Sequence, residues 1–361
     1  MLDIVYDGLQ DRQPWRQANY RARGHSLSRD VLPPDWEFIE GFRYFVDIVV
    51  AAHNESKLAD SDYDAQHAAT AQVTAKDSFL MTIFAHRISA LARSQHSLPR
   101  PNEPASVSHL WARFYHYMML AIQDINRHIN GGSPPKAALY RIVDIMGVEL
   151  RVMSPMWRAH IEGFGALVRK YGGVRKVLGP HDGASPVLAL QVILIYTVMA
   201  NAVSPIENQI SACSDWSTEE LYDVYSSNLY SDMPCPTDLF VDIIRITRLR
   251  LLYAAGASVS KVILPVAREI FRDIQSFLPD DWNESYPLPK SRKHALIGRI
   301  FKSAVALYCL LSMPEMATVF PSDSQNSDSV PEPDPIQVCR RNLMESITVA
   351  MKDLPSKVPL S

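Results

Sequence analysis

Apolar residues recur along this chain at steps of three and four, the spacing that places them on one face of an α-helix. The best-formed run lies within residues 154–179, where Trp157, Ile161, Phe164, Val168 and Tyr171 make one stripe. Arg158, Glu162, Arg169 and Lys170 point in other directions and read as solvated or rim positions. Ser154 suits an N-cap, with Pro155 at the first helical position, where a missing N–H loses no bond. Gly172 and Gly173 supply the stop, because glycine readily takes the left-handed conformation past a helix end. Gly163 lies mid-helix, where glycine is worse than alanine by about 1 kcal/mol. Close approach of a second helix is the expected reason for it.

The same spacing predicts helices over 35–49, 76–94, 107–129, 137–153, 187–203, 216–229, 234–253, 259–278, 291–311 and 336–354. Proline- and glycine-rich breaks separate several of them, as at 97–104 and 131–135. Residues 1–34 are irregular and mildly basic, with dispersed arginines, and 53–74 read as a polar loop or weak helix. The acidic, serine- and proline-rich stretch 320–335 reads as a flexible loop, and 355–361 as a tail. Nothing alternates as a strand would, and no repeat has a fixed period. The expectation is an all-α protein: one large domain over 35–354, built of ten to twelve stacked antiparallel helices.

Composition narrows the class. A hydrophobic content of 47% is ample for a core. A net charge of −3 and a pI near 6.4 leave no nucleic-acid footprint. Cys213, Cys235, Cys309 and Cys339 are widely spaced and contain no C-x-x-C, so they form neither a disulfide framework nor a zinc ligand set. With no signal peptide at the first ten residues, a reducing compartment inside the cell is expected. The apolar run Val187–Val203 contains Gln191 and Asn201 and is short for a bilayer span, so a buried central helix and no membrane partner are expected.

Chemical motifs are sparse. There is no phosphate loop, no H-E-x-x-H and no G-x-S-x-G. His160-Ile161-Glu162 and Pro234-Cys235 echo the zinc deaminase pattern, but its second cysteine falls at Asp238, which removes a thiolate the metal needs. Asp280, Asp281 and Glu284 resemble the D-D-x-x-D/E motif of helical terpene synthases, which use carboxylates to hold magnesium. Here the run follows Pro279 and precedes Ser285-Tyr286-Pro287, so it reads as a loop, and Ala350 stands where the second motif needs glutamate. No catalytic, metal or cofactor site is therefore assigned, and the chain reads as a non-enzyme. His160, beside Trp157 and Phe164, reads as a core-edge histidine bonded to a carbonyl rather than as a ligand contact or pH-sensitive group.

Four ordered pieces carry a family resemblance. Trp157, His160, Gly163, Leu167, Gly172 and Gly173 give W-x-x-H-x-x-G-x-x-x-L-x-x-x-x-G-G. Arg43-Tyr44-Phe45 precedes it. Pro236, Leu239, Phe240, Ile243, Ile244, Ile246, Thr247, Leu249 and Arg250 follow, and then Ala304, Leu307 and Tyr308. In this order they resemble the fungal-specific transcription factor regulatory domain, the helical region usually found after a zinc-cluster DNA-binding module. The resemblance implies a nuclear or nucleocytoplasmic transcriptional regulator, expected to control a metabolic gene cluster through contacts with other regulators or co-activators. It also implies a small apolar effector in a helical pocket, with Trp157, His160, Phe164 and Tyr196 as wall candidates, although ordinary core is the preferred reading of all four. A homodimer is compatible with it. The six clustered cysteines of the zinc module are absent, so no zinc is expected and DNA would be reached only indirectly. The chain is then either a regulator acting through a DNA-binding partner or the regulatory part of a longer protein.

Overall fold

The computed structural model describes residues 36–50, 76–95, 105–131, 135–179, 186–226, 234–285, 292–313 and 334–352. The expected segments 1–34, 53–74 and 355–361, and nearly all of the 320–335 loop, lie outside the described residues. Those that are described form thirteen α-helices and no strand. The all-α expectation holds. The two helices beyond the eleven read from the sequence are short, Val174–Leu178 and Pro279–Ser285. The described helices fall into two compact units, one ending at Trp157 and one running from Arg158.

The first unit holds α1 (Trp36–Tyr44, continued by a π-helical turn Phe45–Val50), α2 (Lys76–Gln95), α3 (Ala105–Asn130) and α4 (Pro135–Arg151). Helices α2, α3 and α4 pack on one another, burying Leu80, Ile83, Phe114, Ala121, Leu139 and Ile145. These positions carry the helical apolar spacing, so the core follows directly from the pattern. Helix α1 is tied down by polar contacts. Glu37 accepts from Arg113 and from the Tyr117 hydroxyl at 2.5 Å, and Glu40 accepts from Arg87 at 2.9 Å. Helix α4 ends in a Schellman motif: Ser154 N–H donates to Glu149 O at 2.9 Å and Met153 N–H to Leu150 O at 3.1 Å. Met153 occupies the left-handed position, with φ of 54°.

The second unit starts with α5 (Trp157–Lys170), followed by α6 (Val174–Leu178), α7 (Val187–Val203) and α8 (Thr218–Tyr225). Then come α9 (Thr237–Ala254), a π-helical turn Val259–Ile263, α10 (Leu264–Ser276), α11 (Pro279–Ser285), α12 (Arg292–Ser312) and α13 (Pro335–Lys352). Helix α9 is the hub, packed against α7, α8, α10 and α12. Its burial explains the role: Leu239, Phe240, Val241, Ile243, Ile244, Ile246 and Leu249 leave few directions free of apolar surface. Tyr225 stacks on Phe240 at 3.8 Å and fixes α8 to it. The window Ala295–Ser312 in α12 is long and apolar enough to cross a membrane by composition alone, and it too is held among neighbours, α9, α10, α11 and α13.

Two sequence expectations need correction. The run from Asp280 to Glu284 lies in α11, not in a loop. Pro279 opens that helix, where proline is well suited, and Pro279 and Trp282 pack at Gly298 of α12. The close approach expected at Gly163 is made at Gly165 instead. A Cβ at Gly163 meets nothing within 4 Å, whereas one at Gly165 would fall 2.7 Å from the Ala212 backbone. Arg158 and Glu162, read as solvated or rim positions, are half-buried and both are hydrogen-bonded. Arg158 donates to Ser204 Oγ at 2.8 Å and Asn208 O at 2.9 Å, and Glu162 accepts from the Ser211 amide at 2.6 Å and its hydroxyl at 2.9 Å. Both clamp the 204–211 connector.

Candidate functional site

The residues singled out on α5 are placed by a well-made helix. Ser154 Oγ accepts the Met156 amide at 3.2 Å, in the manner of an N-cap, and continuous α-helix begins at Trp157. At the other end Gly173 N–H donates to Val168 O and Gly172 N–H to Arg169 O, both at 3.0 Å. Both glycines have φ near 90°, a conformation that L side chains rarely adopt. Ile161, Phe164, Leu167 and Val168 are buried, Trp157 and His160 are half-buried, and Gly163 is exposed. Tyr196 lies half-buried on α7. None of Trp157, His160, Phe164 and Tyr196 lines either of the two cavities described below.

Two of the sequence pieces do meet. The Tyr308 hydroxyl of α12 lies 3.1 Å from Thr247 Oγ1 and accepts from Arg250 at 2.9 Å, both on α9. Arg250 also reaches the carbonyls of Asn201 and Ser204, at 3.4 and 3.3 Å. It so satisfies acceptors at the C-terminal end of α7, where a cation is favoured. The A-x-x-L-Y segment and the end of the P-x-x-L-F segment are therefore parts of one polar junction.

The larger cavity is a cleft of about 820 Å³ formed by α8, α9, α10, the 277–278 link and α11. Leu239, Val241, Phe277, Leu278 and Trp282 give it apolar walls, and Asp238, Asp242, Asp273, Asp281 and Arg245 give it charge. Arg245 is held by Asp242 at 2.9 Å, Asp273 at 2.6 Å and Glu269 at 2.7 Å. Asp242 is 4% exposed, and burial lifts its carboxyl to about 6 against the pull of Arg245. The Tyr222 hydroxyl donates to Asp238 at 2.7 Å, and its own ionisation is pushed up by burial and by that carboxylate. Helix α8 is aimed by a capping box: Ser217 Oγ accepts the Glu220 amide while the Glu220 carboxylate accepts the Ser217 amide.

Sequence reasoning singled out Asp281 for a different reason and missed the rest of the cleft. A signal was present: Asp238, Asp242 and Arg245 lie at helical spacing on α9, as do Glu269 and Asp273 on α10. Asp280 turns away to Arg299, at 3.3 Å. Among the described residues no group of three or more His, Cys, Asp or Glu side chains is arranged to hold a metal ion.

The second cavity is a slot of about 30 Å³ between α7, α9 and the 210–214 connector, room for a water molecule. Arg248 lines it and donates to the carbonyls of Trp216 and Cys213, at 2.6 and 3.3 Å, while its buried Nε finds no partner among the described residues. Cys213 also lines it, and its thiol is raised to about 12 by burial. All four cysteines are buried and free, which fits inert packing groups rather than reactive thiols.

Helices gathered around α9, with charge concentrated in one cleft, define an all-α protein with a built-in concave site. Over 171 residues, 46% of the chain, the sequence is 26% identical to the phomenoic acid biosynthesis cluster-specific transcriptional regulator of Leptosphaeria maculans. The match takes in 32% of that protein's length. This similarity supports a fungal transcription-factor family and a regulatory role. No protein-family profile matches the chain, and no solved structure does.

Proposed function

We propose that this chain is a fungal-type transcriptional regulator that works in the nucleus through protein contacts and controls a metabolic gene cluster. The observation that carries the reading is the partial similarity to a cluster-specific regulator. The ordered helical pieces support it, since Thr247, Arg250 and Tyr308 from two of them build one junction. On this reading the protein is not an enzyme and needs no zinc of its own. It reaches promoters through a DNA-binding partner or through a DNA-binding segment elsewhere in a longer protein. Effector sensing belongs to the same proposal, and the cleft of α8 to α11 has the size of small-molecule sites, about 300–1,000 Å³.

The test is transcriptional. The full chain, fused to a heterologous DNA-binding domain, should raise or lower a reporter several-fold relative to that domain alone. A deletion strain should change transcripts of a contiguous gene set. A silent fusion together with an unaltered transcript profile would overturn the proposal.

A further inference from the structure

The charge in the cleft is unbalanced. Among the described residues four aspartates line it, and Arg245 is its one lining cation. That guanidinium is already committed to Asp242, Asp273 and Glu269, so it has little to offer an anionic ligand. Asp238 is bonded by a neutral donor, the Tyr222 hydroxyl. Asp281, exposed on α11, adds a further carboxylate. Phe277, Leu278 and Trp282 line the same cleft. An indole face attracts cations, and the neighbouring apolar surface favours a hydrocarbon or aromatic body. An anion would meet surplus negative charge, and a neutral apolar molecule would leave that charge facing it without compensation. A volume of about 820 Å³ suits a drug-sized molecule rather than a bare ammonium ion.

From this balance we infer that the cleft binds a small organic cation with an apolar body, its charge held by Asp238 and Asp281 and its body against Trp282 and Leu278. As the effector site of a regulator the assignment rests on the function proposed above, whereas as a binding site it can be tested alone. It differs from the sequence expectation in both place and chemistry: the effector is cationic rather than simply apolar, and its site lies on α8 to α11 rather than at His160.

Purified full chain is titrated into rhodamine 6G, a fluorescent aromatic cation, and into fluorescein, an anion of related ring skeleton, with anisotropy as the readout. The expected result is cation binding at least tenfold tighter than anion binding. Asp281→Lys should weaken rhodamine 6G at least tenfold and narrow or reverse the preference, while the melting temperature stays near that of the parent because Asp281 is exposed. Asp238→Asn should weaken it several-fold. Equal affinity for the two dyes, no binding of either, or an Asp281→Lys variant within twofold of the parent would overturn the inference. A lysine-rich amphipathic peptide that binds and is weakened by Asp281→Lys, where the dye is not bound, would reassign the cleft to a partner helix. The reporter assay separates the two proposals. Dye binding by a chain silent in that assay, with transcripts unaltered in the deletion strain, removes the regulator and keeps the site. An active chain that binds no cation removes the site and keeps the regulator.

Discussion

Two arginines sit among carboxylates in this protein, one in each compact unit, and they do different work. Arg141 of α4 is a tenth exposed and joins three helices: its guanidinium meets Ser78 of α2, Asp124 of α3 at 3.2 Å and Asp144 on its own helix at 3.7 Å. No described cavity opens on it. Arg245 of α9 is a quarter exposed and meets one carboxylate from its own helix and two from α10. It forms part of the wall of an 820 Å³ cleft. The lesson is that an ion pair among helices becomes a fastener where its charges are enclosed, and a source of field where surplus carboxylates face an open volume. Counting charged residues in the sequence does not separate the two; enclosure does.

Removing each arginine should break the comparison in the direction that enclosure dictates. Arg141→Ala leaves Asp144 without its cation and Ser78 without its donor, while Asp124 keeps Arg127 at 2.6 Å, and the stability lost should be about 3 kcal/mol, the low end for breaking a buried pair. Chemical denaturation measures it, and a loss below 1 kcal/mol would show that solvent already reaches the junction. Arg245→Met should cost less, about 2 kcal/mol, because Glu269 and Asp273 are half exposed and return to water, leaving Asp242 as the chief burden. The same variant should tighten cation binding in the cleft. Equal losses for the two variants would mean that the cleft-side arginine is as structural as the enclosed one.

The cleft-bearing unit also makes a tight contact without any charge, and it sharpens the contrast. Gly165→Ala drives a methyl group against the Ala212 backbone, which cannot swing aside as a side chain would. The expected loss is about 2 kcal/mol, the overpacking strain less the helix propensity that alanine brings. Gly163→Ala, two residues away and facing open space, should instead add up to about 1 kcal/mol. The opposite signs, read from melting curves of the two variants, test whether α5 is oriented as described.

What the sequence revealed follows from where its information lies. Helices were legible because burial imposes a period of 3.6, and Ile161, Phe164 and Val168 show it plainly. The glycine stop after Tyr171 was legible because its chemistry is local. Which glycine met a neighbour was harder, although Gly165 keeps register between Ile161 and Val168 while Gly163 does not. Helix α11 was misread because proline and acidic residues suggest a loop; its partner, Gly298 of α12, lies outside any local window. The cleft was the least legible feature. Asp238 and Asp242 are ordinary acidic positions on α9 until α10 brings Asp273 and Glu269 to Arg245, a pairing that is tertiary. By the same reasoning the resemblance pointed to α5, where the motif residues are, and away from α8 to α11, where the cavity is.

The last test of the contrast concerns Asp242 and its protons. Burial raises its carboxyl to about 6, above the value near 4 of an unfolded chain. The folded state thus holds this proton more tightly than the unfolded state does. The stability it contributes is fully present below about pH 4 and is lost as pH rises through about 6. Asp242→Asn fixes a neutral amide at the position, so the variant lacks that loss. Between pH 4 and pH 7 the variant should therefore gain on the parent steadily, with most of the change between 4 and 6. Other carboxylates titrate in both proteins and cancel in the difference. A gap that widens in the parent's favour as pH rises would mean that attraction to Arg245 outweighs burial, and Asp242 would then belong with the fasteners rather than with the strained charge of the cleft.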